Sequence, residues 1–334
     1  MMFYVLFILA FSAMKTKAKS SSSSFLVMGD WGGQASYPYT TKEEVRTADG
    51  MQKVANAESI QFALALGDNF YDRGVTSVTD ERFKTTFENV FSGASLQAPF
   101  EFKVLAGNHD HNGNVTAQVD YTARSDRWSF PSLYYDFEVE LGGSSIHILM
   151  VDTVTLSGNS DFQMEGGDIH ELTGEELAKA WTLASETEIL VADDQWSWIE
   201  STLEHSDADF VLVAGHYPVW SICEHGPTPE LVTKLIPMLE KYKVTAYLNG
   251  HDHCAQHIDS GNGVDYHTIG SAHYNDKSTA HEDNIPKASL KFHATGASGG
   301  FGKISVQDGS LIVEHLDGDG TALYTAPARK PRGV

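Results

Sequence analysis

The 334-residue chain has 41% hydrophobic and 20% charged residues, a composition typical of a globular protein with a sizeable core. Its formal net charge of −22 excludes a sequence-independent nucleic-acid binder, because such proteins need a basic surface. In so acidic a protein, any attraction for an anion must be local, and bound cations could supply it.

The chain begins with a short apolar segment. Residues 1–14 are mostly apolar, and Lys15, Lys17 and Lys19 follow them. This length predicts a signal peptide over residues 1–19 without stable membrane insertion, since a spanning helix needs about 20 apolar residues. The lysines follow the apolar run instead of preceding it, so a signal anchor is the alternative. Residues 20–24 are predicted to form a serine linker, and residues 25–334 a single catalytic domain.

Five apolar runs each end in glycine and polar residues. They span residues 25–28, 62–66, 102–106, 210–214 and 244–248. Such a run predicts a buried strand that delivers a side chain at its carboxyl end, where ligands bind in open α/β sheets. The polar residues of metal-binding type that follow the runs are Asp30, Asp68, Tyr71, Asn108, His216, His251 and His253. Together they predict a two-metal site.

Apolar residues at helical spacing separate these runs. They predict helices near residues 45–55, 83–91, 196–203 and 231–239. The last part of the chain favours strands, with a hairpin turn at Asp308-Gly309. The alternation predicts an α/β fold of two mixed sheets packed face to face with helices outside.

Residues 157–194 form an acidic, glycine-containing connection that is long for a link between two strands. A helix is predicted within it at residues 173–183. We expect a solvated surface excursion, and a loop that gates the site is the alternative.

The candidate ligands divide into two chemical sets. Asp68 can bridge two cations, and Asp30 and Tyr71 are hard anionic donors that favour Fe(III). Asn108 and the imidazoles are neutral donors that suit a divalent ion such as Zn, Fe(II) or Mn(II). The two cations outweigh the three anionic ligands, so a phosphate dianion and a hydroxide can be held inside an acidic protein.

In this order, the blocks resemble those of the purple acid phosphatases, calcineurin-like metallophosphoesterases, in particular the single-domain tartrate-resistant kind. The similarity runs from about residue 25 to residue 301. It implies the metallophosphoesterase fold, a four-layer α/β/β/α sandwich. It also implies an acid phosphatase that hydrolyses phosphate monoesters by attack of a metal-bound hydroxide at a binuclear Fe(III)–M(II) centre.

The resemblance also implies roles for individual residues. Its ferric ligands correspond to Asp30, Asp68, Tyr71 and His253, and its divalent-metal ligands to Asp68, Asn108, His216 and His251. His109 and His225 correspond to the histidines that bind phosphate and assist the leaving group. Imidazoles are protonated in acid, so an acidic optimum is expected.

Tyr71 distinguishes this branch from sister metallophosphoesterases. Those proteins carry a His two residues after the first Asp, a position that Gly32 occupies here. Tyr71, three residues after Asp68, replaces that ligand. The resemblance implies that its tyrosinate keeps the first iron ferric and colours the protein.

Two cysteines and one sequon bear on the cellular compartment. Cys223 and Cys254 lie beside metal-site blocks and either pair or stay free thiols. Asn114 begins an Asn-Val-Thr sequon for N-glycosylation. With the signal peptide, these features predict a secreted protein or one of a vesicular or lysosomal lumen. We expect a monomer that acts on small phosphomonoesters or phosphorylated proteins.

Two other functions stay open from the sequence. A phosphodiesterase or nucleotide hydrolase would share the fold and differ in pocket shape. A metal-binding scaffold or redox protein would use the iron couple, although the complete ligand set argues against a dead scaffold. Asp110 and Asp252 are expected to orient neighbouring imidazoles. The other histidines expected at the surface or in packing are His111, His257, His267, His281 and His273, the last of which could also reach the site mouth.

Overall fold

The computed structural model describes residues 24–157, 186–294 and 298–333. The predicted signal peptide, the linker up to residue 23 and the predicted helix at residues 173–183 lie outside the described residues. Most of the predicted surface excursion, with its alternative as a gating loop, lies outside them too. The end of that segment is described and belongs to a long helix that begins at Glu186.

Fourteen strands occur within the described ranges. The first seven are β1 (Ser24–Met28), β2 (Ile60–Leu66), β3 (Glu101–Leu105), β4 (Trp128–Ser129), β5 (Tyr135–Leu141), β6 (Ser144–Met150) and β7 (Phe210–Ala214). The others are β8 (Ala246–Asn249), β9 (Ala255–Asp259), β10 (Asp265–Ile269), β11 (Leu290–His293), β12 (Gly300–Gln307), β13 (Ser310–Asp317) and β14 (Ala322–Thr325). Ser24 pairs with Ser305 in β12, so it belongs to the first strand and not to the serine linker predicted for residues 20–24.

Six α-helices connect the strands of the described part of the chain. They are α1 (Lys42–Ala57), α2 (Asn108–His111), α3 (Val115–Tyr121), α4 (Thr153–Leu156), α5 (Glu186–His205) and α6 (Ile236–Lys241). Two π-helices span Phe83–Glu88 and Leu231–Leu235, and two short 3-10 helices span Ala94–Leu96 and Glu282–Asn284. The four predicted helical regions are therefore helical, although two of them contain π-type turns. None of the helices described is both long and apolar enough to cross a membrane.

The strands form two mixed sheets of seven. Their orders are β14-β13-β12-β1-β2-β3-β4 and β11-β9-β10-β8-β7-β6-β5. Strands β1 to β4 run parallel, as do β6, β7, β8 and β10. The predicted hairpin joins β12 to β13, and its turn residues Asp308 and Gly309 have φ values of 50° and 67°.

Strand β1 shows why the apolar runs are continuous. Phe25 and Val27 face the layer between the two sheets, whereas Leu26 and Met28 face the helices outside. Both faces of the central strands are buried, so alternation of polar and apolar residues is absent from them. Helix α1 covers the first sheet, and α5 and α6 cover the second. The order helix, sheet, sheet, helix confirms the predicted four-layer fold.

Candidate metal centre

Five loops meet at the carboxyl ends of β1, β2 and β3 in the first sheet and of β7 and β8 in the second. The Asp30 amide donates to the carbonyl of Gly67, and the Gly250 amide donates to the carbonyl of His216, both at 3.1 Å. All seven predicted metal ligands lie here. Six of them are buried and His253 is partly exposed; the buried ones are Asp30, Asp68, Tyr71, Asn108, His216 and His251.

Three of these residues have a left-handed backbone. The φ values are 55° for Asp30, 50° for Asp68 and 68° for His251. Such conformations cost on the order of 1–3 kcal/mol each and persist where the surrounding structure enforces them, as at ligand sites. The chain therefore turns sharply at His251, so His251 and His253 do not lie on one extended segment.

The first group of side chains is anionic. Asp30, Asp68 and His253 each place one ligand atom within 4.8 Å of the other two. Tyr71 Oη lies 3.1 Å from Asp30 Oδ1 and 3.0 Å from His253 Nε2. Two carboxylates, a phenol and an imidazole form the donor set expected of a hard trivalent cation.

The second group is mostly neutral and shares Asp68 with the first. Asp68, His216 and His251 again place ligand atoms within 4.8 Å of one another. His216 Nε2 lies 3.0 Å from Asn108 Oδ1 and 3.3 Å from Asp68 Oδ1. This set suits a divalent ion, and Asp68 stands where a bridging carboxylate is needed.

Two glycines let the backbone approach the carboxylates. A Cβ on Gly107 would lie 2.2 Å from Asp68 Oδ1, and a Cβ on Gly250 would lie 2.4 Å from Asp30 Oδ2. Neither glycine has a positive φ, so close approach and not backbone conformation requires glycine here.

The charge of the site calls for cations. Asp30 and Asp68 are 0% and 1% exposed, and within the described residues no Lys or Arg forms an ion pair with either. Their ion-pair partners are imidazoles, which bind metals in the neutral form, so a bound cation is the natural counter-charge for the buried carboxylates. The residues present therefore fit two metal ions.

The pKa shifts follow the same charges. Burial would raise the pKa of Asp68, but the charges of His216 and His109 lower it below its usual range. Burial would lower the pKa of His216, but Asp68 raises it to about 9. Burial, then the charges of Asp30 and Asp68, hold the pKa of Tyr71 well above its ordinary value. A cation beside Tyr71 would lower this pKa, and such a cation is needed for Tyr71 to bind as a tyrosinate.

Backbone groups orient His216. Its Nδ1 donates to the carbonyl of Leu66 at 2.8 Å, which leaves Nε2 as the ligand atom. The amides of His216 and Tyr217 donate to Thr153 Oγ1 at 3.1 Å and 2.9 Å. Thr153 thus fixes the loop after β7, and no sequence signal marked it.

Asp110 and Asp252 hold backbone amides, which differs from their expected role as imidazole partners. Asp110 accepts from the amides of Asn69 and Gly107 at 3.1 Å and 2.8 Å. Asp252 accepts from the amide of His225 at 2.8 Å. Both carboxylates therefore fix the shape of the loops that carry the site.

His109 and His225 lie beside the two groups. His109 Nδ1 donates to the carbonyl of Asp72 at 2.6 Å, and its Nε2 lies 3.9 Å from Asp68 Oδ2. The His109 side chain is 31% exposed. The half-buried His225 ring stacks on that of His251 with centroids 4.3 Å apart. Both imidazoles are placed to meet a ligand that reaches the centre from solvent.

Two further residues complete the site. Arg82, which no sequence pattern indicated, donates to the carbonyl of Gly32 at 2.6 Å and to that of Tyr71. His273 lies at the centre, the alternative left open for it, and its Nδ1 donates to the carbonyl of Asp30 at 2.8 Å. Burial lowers the pKa of His273 to about 4.

Cys223 and Cys254 form a disulfide with Cα atoms 6.9 Å apart. The bond joins the segment that carries His225 to the segment that carries His253. The centre is therefore braced covalently on the side of the second sheet.

His111 belongs to an ion pair, although surface exposure or packing was expected for it. Its Nε2 lies 3.1 Å from Asp152 Oδ1, and both side chains are buried. Spacing along the sequence could not indicate this pair, because 41 residues separate its members.

The fold and the paired ligand groups are those of a metal-dependent phosphoesterase, and comparison with known proteins agrees. The model of the calcineurin-like phosphoesterase family matches residues 23–255. A tartrate-resistant acid phosphatase type 5 from Oryctolagus cuniculus is 43% identical over 304 residues, covering 90% of this chain and 89% of its own length. Purple acid phosphatase 4 from Arabidopsis thaliana is 31% identical, covering 91% of this chain and 82% of its own.

A solved structure shares the fold. It is the purple acid phosphatase PPD1 from yellow lupin (Lupinus luteus) seeds, with a TM-score of 0.61 at 16% identity, covering 93% of this chain and 55% of its own. The chain belongs to the calcineurin-like phosphoesterases and, among them, to the purple acid phosphatases.

Proposed function

We propose that the protein is an acid phosphatase that hydrolyses phosphate monoesters at a binuclear Fe(III)–M(II) centre. The observation that carries this proposal is Tyr71 Oη, 3.1 Å from Asp30 Oδ1 and 3.0 Å from His253 Nε2. A phenol among these donors selects a ferric ion. When bound, the two cations supply Lewis-acid activation of water and of the phosphate ester.

The first pocket is assigned to Fe(III), with Asp30, Asp68, Tyr71 and His253 as ligands. The second is assigned to a divalent ion (Fe, Zn or Mn), with Asp68, Asn108, His216 and His251 as ligands. The short distances within each group support this division. Phosphorylated proteins are a further candidate substrate class, since the mouth near His109 opens to solvent.

His109 and His225 bind the phosphate and help the leaving group depart. The Asp72 carbonyl accepts from His109 Nδ1, so Nε2 faces the centre and can donate to a phosphate oxygen. The His225 ring stacks on His251 and so lies beside the second ligand group, from which it can reach a bound phosphate. A protonated imidazole can pass its proton to the departing alkoxide, which supports an acidic optimum.

Secretion follows as part of the proposal. Asn114 is exposed and caps α3 through Oδ1, which accepts from the amide of Ala117 at 3.0 Å. A glycan attaches to the amide nitrogen, so the cap and the modification are compatible. Passage through an oxidising compartment also suits the Cys223–Cys254 disulfide. The predicted signal peptide would direct the chain there.

The test is the visible spectrum with two assays. Tyr71→Phe should abolish the visible band of the oxidised holoenzyme, whereas Tyr37→Phe, which changes a tyrosine that is 84% exposed, should leave it unchanged. 4-Nitrophenyl phosphate should be hydrolysed much faster than bis(4-nitrophenyl) phosphate. An unchanged band in Tyr71→Phe would refute the ferric assignment, and faster hydrolysis of the bis-ester would make the protein a phosphodiesterase.

A further inference from the structure

Three buried histidines lie together away from the metal centre. His257 is on β9, His267 is on β10 and His315 is on β13, and each is at most 1% exposed. Strand β13 belongs to the first sheet and the other two to the second, so this group lies between the sheets. We call these three residues the distal histidine cluster.

A carboxylate joins two members of the cluster. His257, Asp265 and His267 each place one ligand atom within 4.8 Å of the other two. His257 Nε2 lies 3.2 Å from Asp265 Oδ1. Ligand atoms around a tetrahedral zinc ion are about 3.4 Å apart, because zinc–nitrogen bonds are about 2.0–2.1 Å long. Small side-chain rotations therefore bring the three atoms to this spacing.

Hydrogen bonds leave one nitrogen of each ring available. Nδ1 of His257 lies 3.0 Å from Tyr324 Oη, and Nδ1 of His267 lies 3.1 Å from His315 Nε2. Nε2 of His267 is buried and has no hydrogen-bond partner in the described part of the chain, and Nε2 of His257 lies near Asp265 Oδ1 without forming a hydrogen bond. Metal-binding histidines are held in this way, with one nitrogen bonded to an orienting group and the other facing the metal.

Two imidazoles of the cluster, those of His267 and His315, are held in the neutral form. Burial, helped by His257, His315 and Arg329, holds the pKa of His267 well below its ordinary value. Burial, and then His257, lowers the pKa of His315 to about 3. Neutral imidazole is the form that binds metals.

One contact opposes a cation. Arg329 Nε donates to Asp265 Oδ2 at 2.8 Å and competes for the carboxylate. The Arg329 side chain is 28% exposed and lines a surface cleft of about 450 Å³. A turn of this side chain toward the cleft would free Asp265 Oδ2 for a cation.

We propose that His257, Asp265 and His267 form a third metal site that binds zinc(II). Two imidazoles and a carboxylate are a donor set that zinc accepts, and water completes its coordination. The rings of His257 and His267 are now stacked, with centroids 4.3 Å apart and 16° between their planes. Because each lone pair lies in its ring plane, binding opens this angle. The ion would join β9 to β10 within the second sheet.

Zinc uptake by the holoenzyme tests the proposal. With the catalytic centre already filled, equilibrium dialysis against micromolar free zinc should load one additional zinc per chain. His257→Gln and Asp265→Asn should each lose that equivalent while the visible band stays unchanged. The control His147→Gln, which removes a buried imidazole bonded to Asp136 and Ser206 outside the cluster, should retain it. Arg329→Gln should tighten zinc binding several-fold.

Anomalous diffraction at the zinc edge locates the ion without any variant. A peak between His257, Asp265 and His267 in wild-type crystals is the expected result. An absent peak, or additional zinc that survives in His257→Gln and Asp265→Asn, overturns the proposal. If the variants fail to fold, the wild-type map alone decides between these results.

Discussion

The metal centre and the distal histidine cluster both bury histidines, but their surroundings shift the imidazole pKa in opposite directions. In the centre, Asp68 raises the pKa of His216 to about 9. In the cluster, burial lowers the pKa of His315 to about 3. The difference lies in the partners of the carboxylates. Within the described residues, neither Asp30 nor Asp68 forms an ion pair with Lys or Arg, whereas Asp265 forms one with Arg329. Histidine count alone therefore does not reveal where cations bind strongly.

The largest effect is expected from the carboxylate that both ligand groups share. Asp68→Asn removes a bridging charge from the centre and should lower kcat for a phosphomonoester by more than about 100-fold, the upper range for loss of an outer partner. Metal content should fall with it. Asp265→Asn, the matching change in the distal cluster, should leave kcat within about twofold. Equal losses in both variants would erase the distinction between the regions.

Close packing around the carboxylates should come next in size. Gly107→Ala places a Cβ 2.2 Å from Asp68 Oδ1 and should lower kcat and metal affinity by about 10–100-fold through displacement of that ligand. Gly261→Ala is the control, because φ at Gly261 is 79° and its Cβ would meet nothing within 4 Å. The control should lower stability and leave kcat unchanged. Normal metal content in Gly107→Ala would show that the loop relaxes.

The His111–Asp152 pair is an intermediate case between the metal centre and the distal histidine cluster, because a single imidazole forms an ion pair with a single carboxylate. Burial would lower the pKa of His111, but Asp152 raises it; burial would raise the pKa of Asp152, but His111 lowers it. A histidine whose pKa is raised in the folded state stabilises the fold at pH values below its unfolded pKa of about 6.5. This stabilisation is lost as the pH rises through the folded pKa. A lowered aspartate pKa stabilises the fold above about 3.9, and this is lost on acidification. The pair is thus fully effective between about pH 4 and 6.5.

Urea unfolding of His111→Gln measures this effect. The variant should lose about 3–5 kcal/mol of unfolding free energy at pH 5.5, as expected when one partner of a buried pair is removed, and less at pH 9. His147→Gln is the control, because its partner Asp136 is 38% exposed, and its loss should be smaller. A loss in His111→Gln that is the same at both pH values would mean that packing, not charge, accounts for it.

Features that depend on residues close together in the sequence could be predicted from it. Apolar runs ending in glycine located the strands and, with the resemblance, the seven candidate ligands, whose side chains meet because the strand ends lie together. Arg82 and Thr153 escaped prediction, since each acts through a backbone carbonyl or amide far away in sequence. Asp110 was misjudged for the same reason: its partners are loop amides. The left-handed turn at His251 depends on tertiary contacts that no spacing records.

Removal of the disulfide should have the smallest effect on kcat. It tests whether a covalent bond makes the metal centre more rigid than the distal histidine cluster. It closes a loop between residues 31 positions apart, next to His225 and His253, and the distal cluster has no such covalent tie among the described residues. The double variant Cys223→Ala/Cys254→Ala should lose about 2–4 kcal/mol of unfolding free energy. Hydrogen bonds such as the one that the His225 amide donates to Asp252 remain, so kcat should fall only several-fold. Urea unfolding and phosphomonoester kinetics of the double variant check both numbers. A collapse of kcat with unchanged stability would mean that the bond positions His225, whereas unchanged kcat and stability would mean that the loops hold their shape without it.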